Sequence, residues 1–128
     1  MTSKKELITP ILEEDLLRLE DIYACAVARK HLEGIGPLVQ EKHRQELKGI
    51  WDALEKTMEE FFTIIDHYSD YGLDKIYFEL GKYDVIFFIL PGTDTALVAI
   101  VPALANRGLL EVELENARRR ILEIMAEE

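Results

Sequence analysis

Between residues 75 and 101 the chain carries three runs of strand-forming residues, KIYFEL, YDVIFFIL and TALVAIV, separated only by short turns. Gly81-Lys82 is a two-residue hairpin turn of the type that places glycine first. Pro91-Gly92-Thr93-Asp94 turns the chain a second time. Connections this short join antiparallel neighbours, so the fold must contain a meander. The first run alternates, with Ile76, Phe78 and Leu80 on one face and Lys75, Tyr77 and Glu79 on the other. The second and third are apolar throughout, the pattern of strands covered on both faces.

What covers them is legible upstream and downstream. Residues 41–68 carry the longest helical signal: Leu47, Ile50, Trp51, Leu54, Met58, Phe61, Phe62, Ile65 and Tyr68 trace one stripe, widened by Ala53, Thr57 and Ile64. Gly49 weakens its start by roughly 1 kcal/mol against alanine. At 1.5 Å per residue the segment spans ~42 Å, longer than a domain of this size covers. Either the helix starts nearer Glu46, or part of its stripe meets something other than its own sheet. Residues 105–125 form a second amphipathic helix. Residues 8–20 predict a first one, with Thr9 as N-cap, Pro10 in the first turn and Leu12, Leu16 and Leu19 at helical spacing. The small apolar run 22–28 reads as a buried strand. Turn chemistry follows at 30–36, then a short edge strand at 35–39, where Pro37 is tolerated.

Chemistry is harder to find. Single-domain size and 48% hydrophobic residues suit a globular unit covering 1–128. A formal net charge of -10 repels phosphate backbones and argues against nucleic acid as a partner. Arg118-Arg119-Arg120 fans around a helix and makes no patch; Glu115, Glu123 and Glu127 are its expected neighbours. No apolar run approaches the ~20 residues of a membrane span, and the first fifteen residues lack a secretory apolar core. A cytoplasmic protein without membrane insertion is expected. Cys25, the single cysteine, reads as a small core residue. His31, His43 and His67 lack metal-ligand spacing. The sequential carboxylates Glu13-Glu14-Asp15 and Glu59-Glu60 diverge on helices and form no dyad. There is no GxGxxG or phosphate loop, and no nucleophile elbow. No catalytic residue, metal ligand or cofactor is assigned.

The Ala-Asn-Arg-Gly-Leu-Leu junction at 105–110, followed by an acidic residue and then Glu113-Leu114, resembles the C-terminal half of the Roadblock/dynein light chain family. Gly81, Gly108 and the Leu109-Leu110 to Leu114 helix start carry the likeness, and the α-β-(β)-α-β-β-β-α order extends it over residues 8–125. The resemblance implies an α+β fold of three layers: a central antiparallel sheet of about five strands, the long middle helix on one face and the terminal helices on the other. The stretch KHLEGIGPLVQEK departs from the family's clean first hairpin. Profilin-like and longin-type domains share the general layout.

Members of that family are homo- or heterodimers built on the middle helix and the adjoining sheet edge, and serve as platforms for small Ras-like GTPases or as adaptors. The resemblance therefore implies a non-enzymatic interaction module. The sequence supports a homodimer independently, because the middle stripe is wide and aromatic and the edge strand IYFEL has few charges. The expected dimer interface comprises Ile50, Trp51, Leu54, Met58, Phe61, Ile65, Ile76, Tyr77 and Phe78. A partner protein, a small GTPase foremost, is expected at Lys48, Asp52, Glu55, Lys56 and Glu59. The alternative is a small-molecule sensor whose pocket is lined by Trp51, Phe61, Phe62, Phe78, Phe87 and Phe88.

Overall fold

The computed structural model describes residues 3–103 and 105–126. Five strands, β1 (Ala24–Arg29), β2 (Leu32–Val39), β3 (Lys75–Leu80), β4 (Tyr83–Leu90) and β5 (Thr95–Pro102), make one antiparallel sheet in the order β2-β1-β5-β4-β3. Helix α1 (Lys4–Pro10) continues as the wider turns of Ile11–Leu16; α2 (Arg44–Tyr68) and α3 (Arg107–Ala126) follow the first and second halves of the sheet. The three-layer α+β architecture implied by the sequence is the one observed.

Alternation along the central strands sorts their side chains between two cores. Val85, Phe87 and Ile89 of β4, with Val98 and Ile100 of β5, pack under Leu47, Leu54, Phe62 and Ile65 of α2. Ile86, Phe88 and Leu90, with Leu97, Ala99 and Val101, pack against Ile8, Leu12 and Leu16 on one side and Leu110, Leu114 and Ile121 of α3 on the other. All of β4 is buried. Cys25 is fully buried in the second core, and burial pushes its thiol up to about 12, so it stays a protonated packing group.

Helix α3 starts at Arg107, two residues inside the expected 105–125, and two elements depart further from the sequence reading. Helix α1 begins at Lys4, not residue 8: the Ser3 hydroxyl accepts from Glu6 N at 3.1 Å, while Thr9 lies inside and donates back to Lys5 O at 2.7 Å. Pro10 therefore sits late in the helix, where it has no N–H to continue the ladder. Beyond it the bonding widens, with Leu17 N donating to Leu12 O at 2.8 Å, and the helical segment stops at Leu16. The second difference is β2, which runs over eight residues and starts at Leu32. A two-residue turn, Lys30-His31, closes the first hairpin, with His31 at φ 58. The irregularity expected of this stretch lies in its pairing, which shifts register twice along β1 and includes a cis Gly36-Pro37 bond. At Gly34 a Cβ would stand 2.4 Å from Val27 O, so only glycine permits the strands to approach this closely.

Side-chain tethers fix the elements that packing leaves loose. Arg118, with only 12% of its side chain exposed, pairs with Asp74 (2.6 Å) and with Glu115, and lies 5.1 Å above the Phe88 ring. Arg119 reaches Asn116 and Arg120 reaches Asp15, so the three arginines point to different partners, as their helical spacing requires. Glu127 lies outside the described residues. The amide nitrogen of Gln40 donates toward four carbonyls, of Leu17 (3.2 Å), Leu19 (2.8 Å), Glu20 (3.3 Å) and Ile22 (2.9 Å), and so ties the end of α1 to the approach to α2. Gln40→Glu would aim a carboxylate at those oxygens. It should lower the unfolding free energy by roughly 2–3 kcal/mol, more than Gln40→Leu, which only removes the donor. Urea denaturation of the two variants checks the order.

Candidate interaction surface

Helix α2 lies over the sheet with more apolar surface than the sheet takes up. Leu47, Leu54, Phe62 and Ile65 are 1–7% exposed, and Trp51 is 9% exposed. Ile50, Met58 and Phe61 are half-buried, while Ile64 and Tyr68 are exposed at 43% and 55%. The helix therefore has two flanks of different character.

One flank looks toward β3, which is an edge strand with β4 as its single partner. Between them runs a groove of about 610 Å³ lined by Ile50, Ala53, Leu54, Phe61, Phe78 and Leu80, almost wholly apolar. Phe61 forms its floor, stacked on Phe78 at 5.5 Å and tilted against Phe87 at 4.7 Å. Gly49 opens onto the same groove, and a Cβ there would meet nothing within 4 Å. Ile76 and Phe78 are half-buried and Leu80 is 40% exposed, so the apolar surface continues from the helix to the unpaired strand.

The other flank looks toward β2. Lys48 and Asp52 pair at 3.2 Å and border a groove of about 560 Å³ with Pro37, Val39, Glu41 and Arg44. Glu55 and Glu59 border a second cleft with β1 and β2, and Trp51 lines both. Glu59 also accepts from the His31 turn, with a 3.1 Å contact to Nδ1, while Lys30 pairs with Asp66. Through these contacts the first hairpin is latched to the C-terminal half of α2. Lys56 is exposed between the two flanks.

The nine residues expected at a dimer interface therefore do not form one surface. Ile50, Leu54, Phe61 and Phe78 meet in the β3-side groove, with Ile76 beside them on the same strand face. Trp51 and Met58 face the β2-side cleft. Ile65 is taken up by the chain's own core. Tyr77 points through the opposite face of the sheet, where its hydroxyl donates to Glu111 of α3 at 2.5 Å. Of the five partner residues, Lys48, Asp52, Glu55 and Glu59 share one flank. The six aromatics proposed for a sensor pocket cannot line one space, because Phe87 and Phe88 lie on opposite faces of the sheet.

A charged cluster that sequence reasoning missed lies beside Tyr77. Asp84, 1% exposed within the apolar β4, pairs with Arg107 at the first turn of α3, whose guanidinium lies 5.4 Å over the Tyr77 ring. Asp84 also sits opposite Glu79 in the β3–β4 register, so the single charge of Arg107 pairs with Asp84 and lies near a second, facing carboxylate. Among the described residues none donates a hydrogen bond to Asp84 Oδ1. The one available signal was an aspartate in an otherwise unbroken apolar strand. At the other end of α2, His43 stacks on Tyr23 at 3.7 Å. Among the described residues no group of three His, Cys, Asp or Glu side chains is arranged to hold a metal ion, and no helix is long and apolar enough to cross a membrane.

Solved structures share this arrangement of sheet and helices. Myxococcus xanthus MglB superposes with a TM-score of 0.70 at 17% identity, covering 94% of this chain and 90% of that one. A Roadblock/LC7 domain from Streptomyces avermitilis gives 0.61 at 11% identity, covering 91% and 96%. The fold is that of the Roadblock/LC7 domains. An MglB in a tetrameric arrangement gives 0.71 at 13% identity, covering 97% and 91%. No family model and no curated protein matches the chain in sequence.

Tyr77 allows the junction of β3 with α3 to be probed by pH. Burial, and then the bond to Glu111, push its phenol up to about 12. The neutral phenol is thus favoured in the folded state, and the stability it contributes is present below pH ~10 and lost as pH rises toward 12. Denaturation midpoints of the parent chain should fall more steeply across that window than those of Tyr77→Phe. Parallel pH profiles would show the contact contributes nothing.

Proposed function

We propose that this chain is a non-enzymatic platform that pairs with a second copy of itself through the β3 side of α2 and regulates or holds a small Ras-like GTPase on the other flank. One observation carries the reading: an apolar groove on α2 runs without interruption onto an unpaired sheet edge. Apolar helix surface beside open strand hydrogen bonds favours burial against another chain. In a symmetric pair the same patch meets itself, so Phe61, Ile50 and Phe78 of each copy would cover those of the other. The Roadblock/LC7 fold, and the tetrameric arrangement described for an MglB of that fold, support assembly. A cytoplasmic setting suits a GTPase partner.

The oligomeric state tests the pairing. Light scattering should give a particle about twice the 14.8 kDa chain. Ala53→Arg, on an exposed position lining the groove, should shift the population to monomer with helical content unchanged. Phe61→Glu should do the same but at some cost to the fold, since Phe61 also packs on Phe87. A monomeric parent chain would remove the pairing from the account.

The GTPase reading makes a separate prediction. A small GTPase from the same organism should change its turnover or nucleotide release when this protein is added, and the protein alone should hydrolyse nothing. Arg44 is exposed and paired with Glu41 at 3.0 Å; Arg107 is held by buried Asp84. Neither is poised as an inserted finger, so stimulation would work by ordering the GTPase's own switch residues. Arg44→Ala should leave stimulated turnover within about twofold of the parent. A loss of a hundredfold or more at unchanged binding would replace ordering by a finger mechanism.

A further inference from the structure

The cleft between α2 and the first hairpin has a floor of small residues. Ala26 and Ala28 of β1 point at the helix where β4 and β5 present Phe87, Val98 and Ile100. The helix is held at the height of the larger side chains, and a space of about 350 Å³ remains beneath its β2 flank. The indole of Trp51 and the thioether chain of Met58 form its wall.

Charge sets what that space accepts. Glu33 from β2 and Glu55 and Glu59 from α2 stand on the lining, against one cation, Arg29, which leaves a net charge of -2 (three carboxylates less one guanidinium). Glu33 and Glu55 make no ion pair among the described residues. An indole on the wall, 9% exposed, with carboxylates on the same lining is complementary to a planar cation. A guanidinium can stack on indole and give two parallel hydrogen bonds to a carboxylate, which a compact ammonium cannot.

The geometry points to this cleft as the docking site for an arginine side chain presented by a partner protein. The inference rests on reading the β2 flank of α2 as the partner surface, and it adds the partner's chemistry. The cleft lies on the far side of α2 from the β3 groove, so pairing of two copies there leaves it open.

Trp51 is the sole tryptophan, so its emission reports the cleft directly. The full chain is titrated at low ionic strength with acetyl-Gly-Arg-Gly-amide and with the glutamine peptide of the same length. The arginine peptide should give a saturable change that added salt weakens, and the glutamine peptide none. Glu55→Gln should weaken binding by about two- to fivefold, and Ala28→Leu, which fills the floor, should abolish it. Absence of saturation, an equal response to the glutamine peptide, or unchanged binding in either variant would overturn the inference. An equal response to free guanidinium ion would also overturn it, by assigning the cleft to small cations. No GTPase is present in the titration, so a silent cleft overturns this inference alone and leaves the platform reading to its own tests.

Discussion

Two-sided burial of the middle of the sheet is the constraint from which the rest of the structure follows. Every residue of β4 is buried, as is every residue of β5 before the half-buried Pro102, so both faces must be covered by helix. With α1 and α3 on one face, α2 alone covers the other, and it must lie where the large side chains of β4 and β5 are. That placement leaves a residue on each side. Toward β1 the helix spans alanines and leaves a cleft; toward β3 it reaches an edge strand without closing over it. Both candidate contact surfaces are thus consequences of one helix covering a sheet wider than itself.

The tethers show how a marginal set of contacts becomes a definite geometry. Burying the Asp84 carboxylate is costly without a partner, and Arg107 supplies one from the first turn of α3. Arg118 and Gln40 donate to carbonyl oxygens at the ends of strands and helices. Each joins segments far apart in sequence, and none contributes a periodic signal.

For that reason the fold was more legible than the site. The meander from Lys75 to Pro102 announces itself, because alternation in β3, continuous apolar runs in β4 and β5, and the Gly81-Lys82 turn all agree. The start of α1 is hard to place from sequence because Pro10 looks like a first-turn residue, whereas Ser3, a better-placed cap, lies earlier. Periodicity also identified the stripe on α2, but it cannot say which neighbour each side chain meets. Trp51 and Phe61 are both on that stripe, yet one looks to β2 and the other to β3. Tyr77 shares its edge strand with Ile76 and Phe78, but strand alternation sends it through the sheet to Glu111.

The proposed pairing requires β3 to be an edge that a second copy completes. Hydrogen exchange of the backbone amides of β3, followed as the protein is diluted from high micromolar to nanomolar concentration, tests this most directly. Outward-facing β3 amides should be protected when concentrated and exchange rapidly on dilution, while the amides of β4 and β5 stay protected throughout. Exchange at β3 that is fast and independent of concentration, in a chain whose β4 and β5 remain protected, would contradict the pairing.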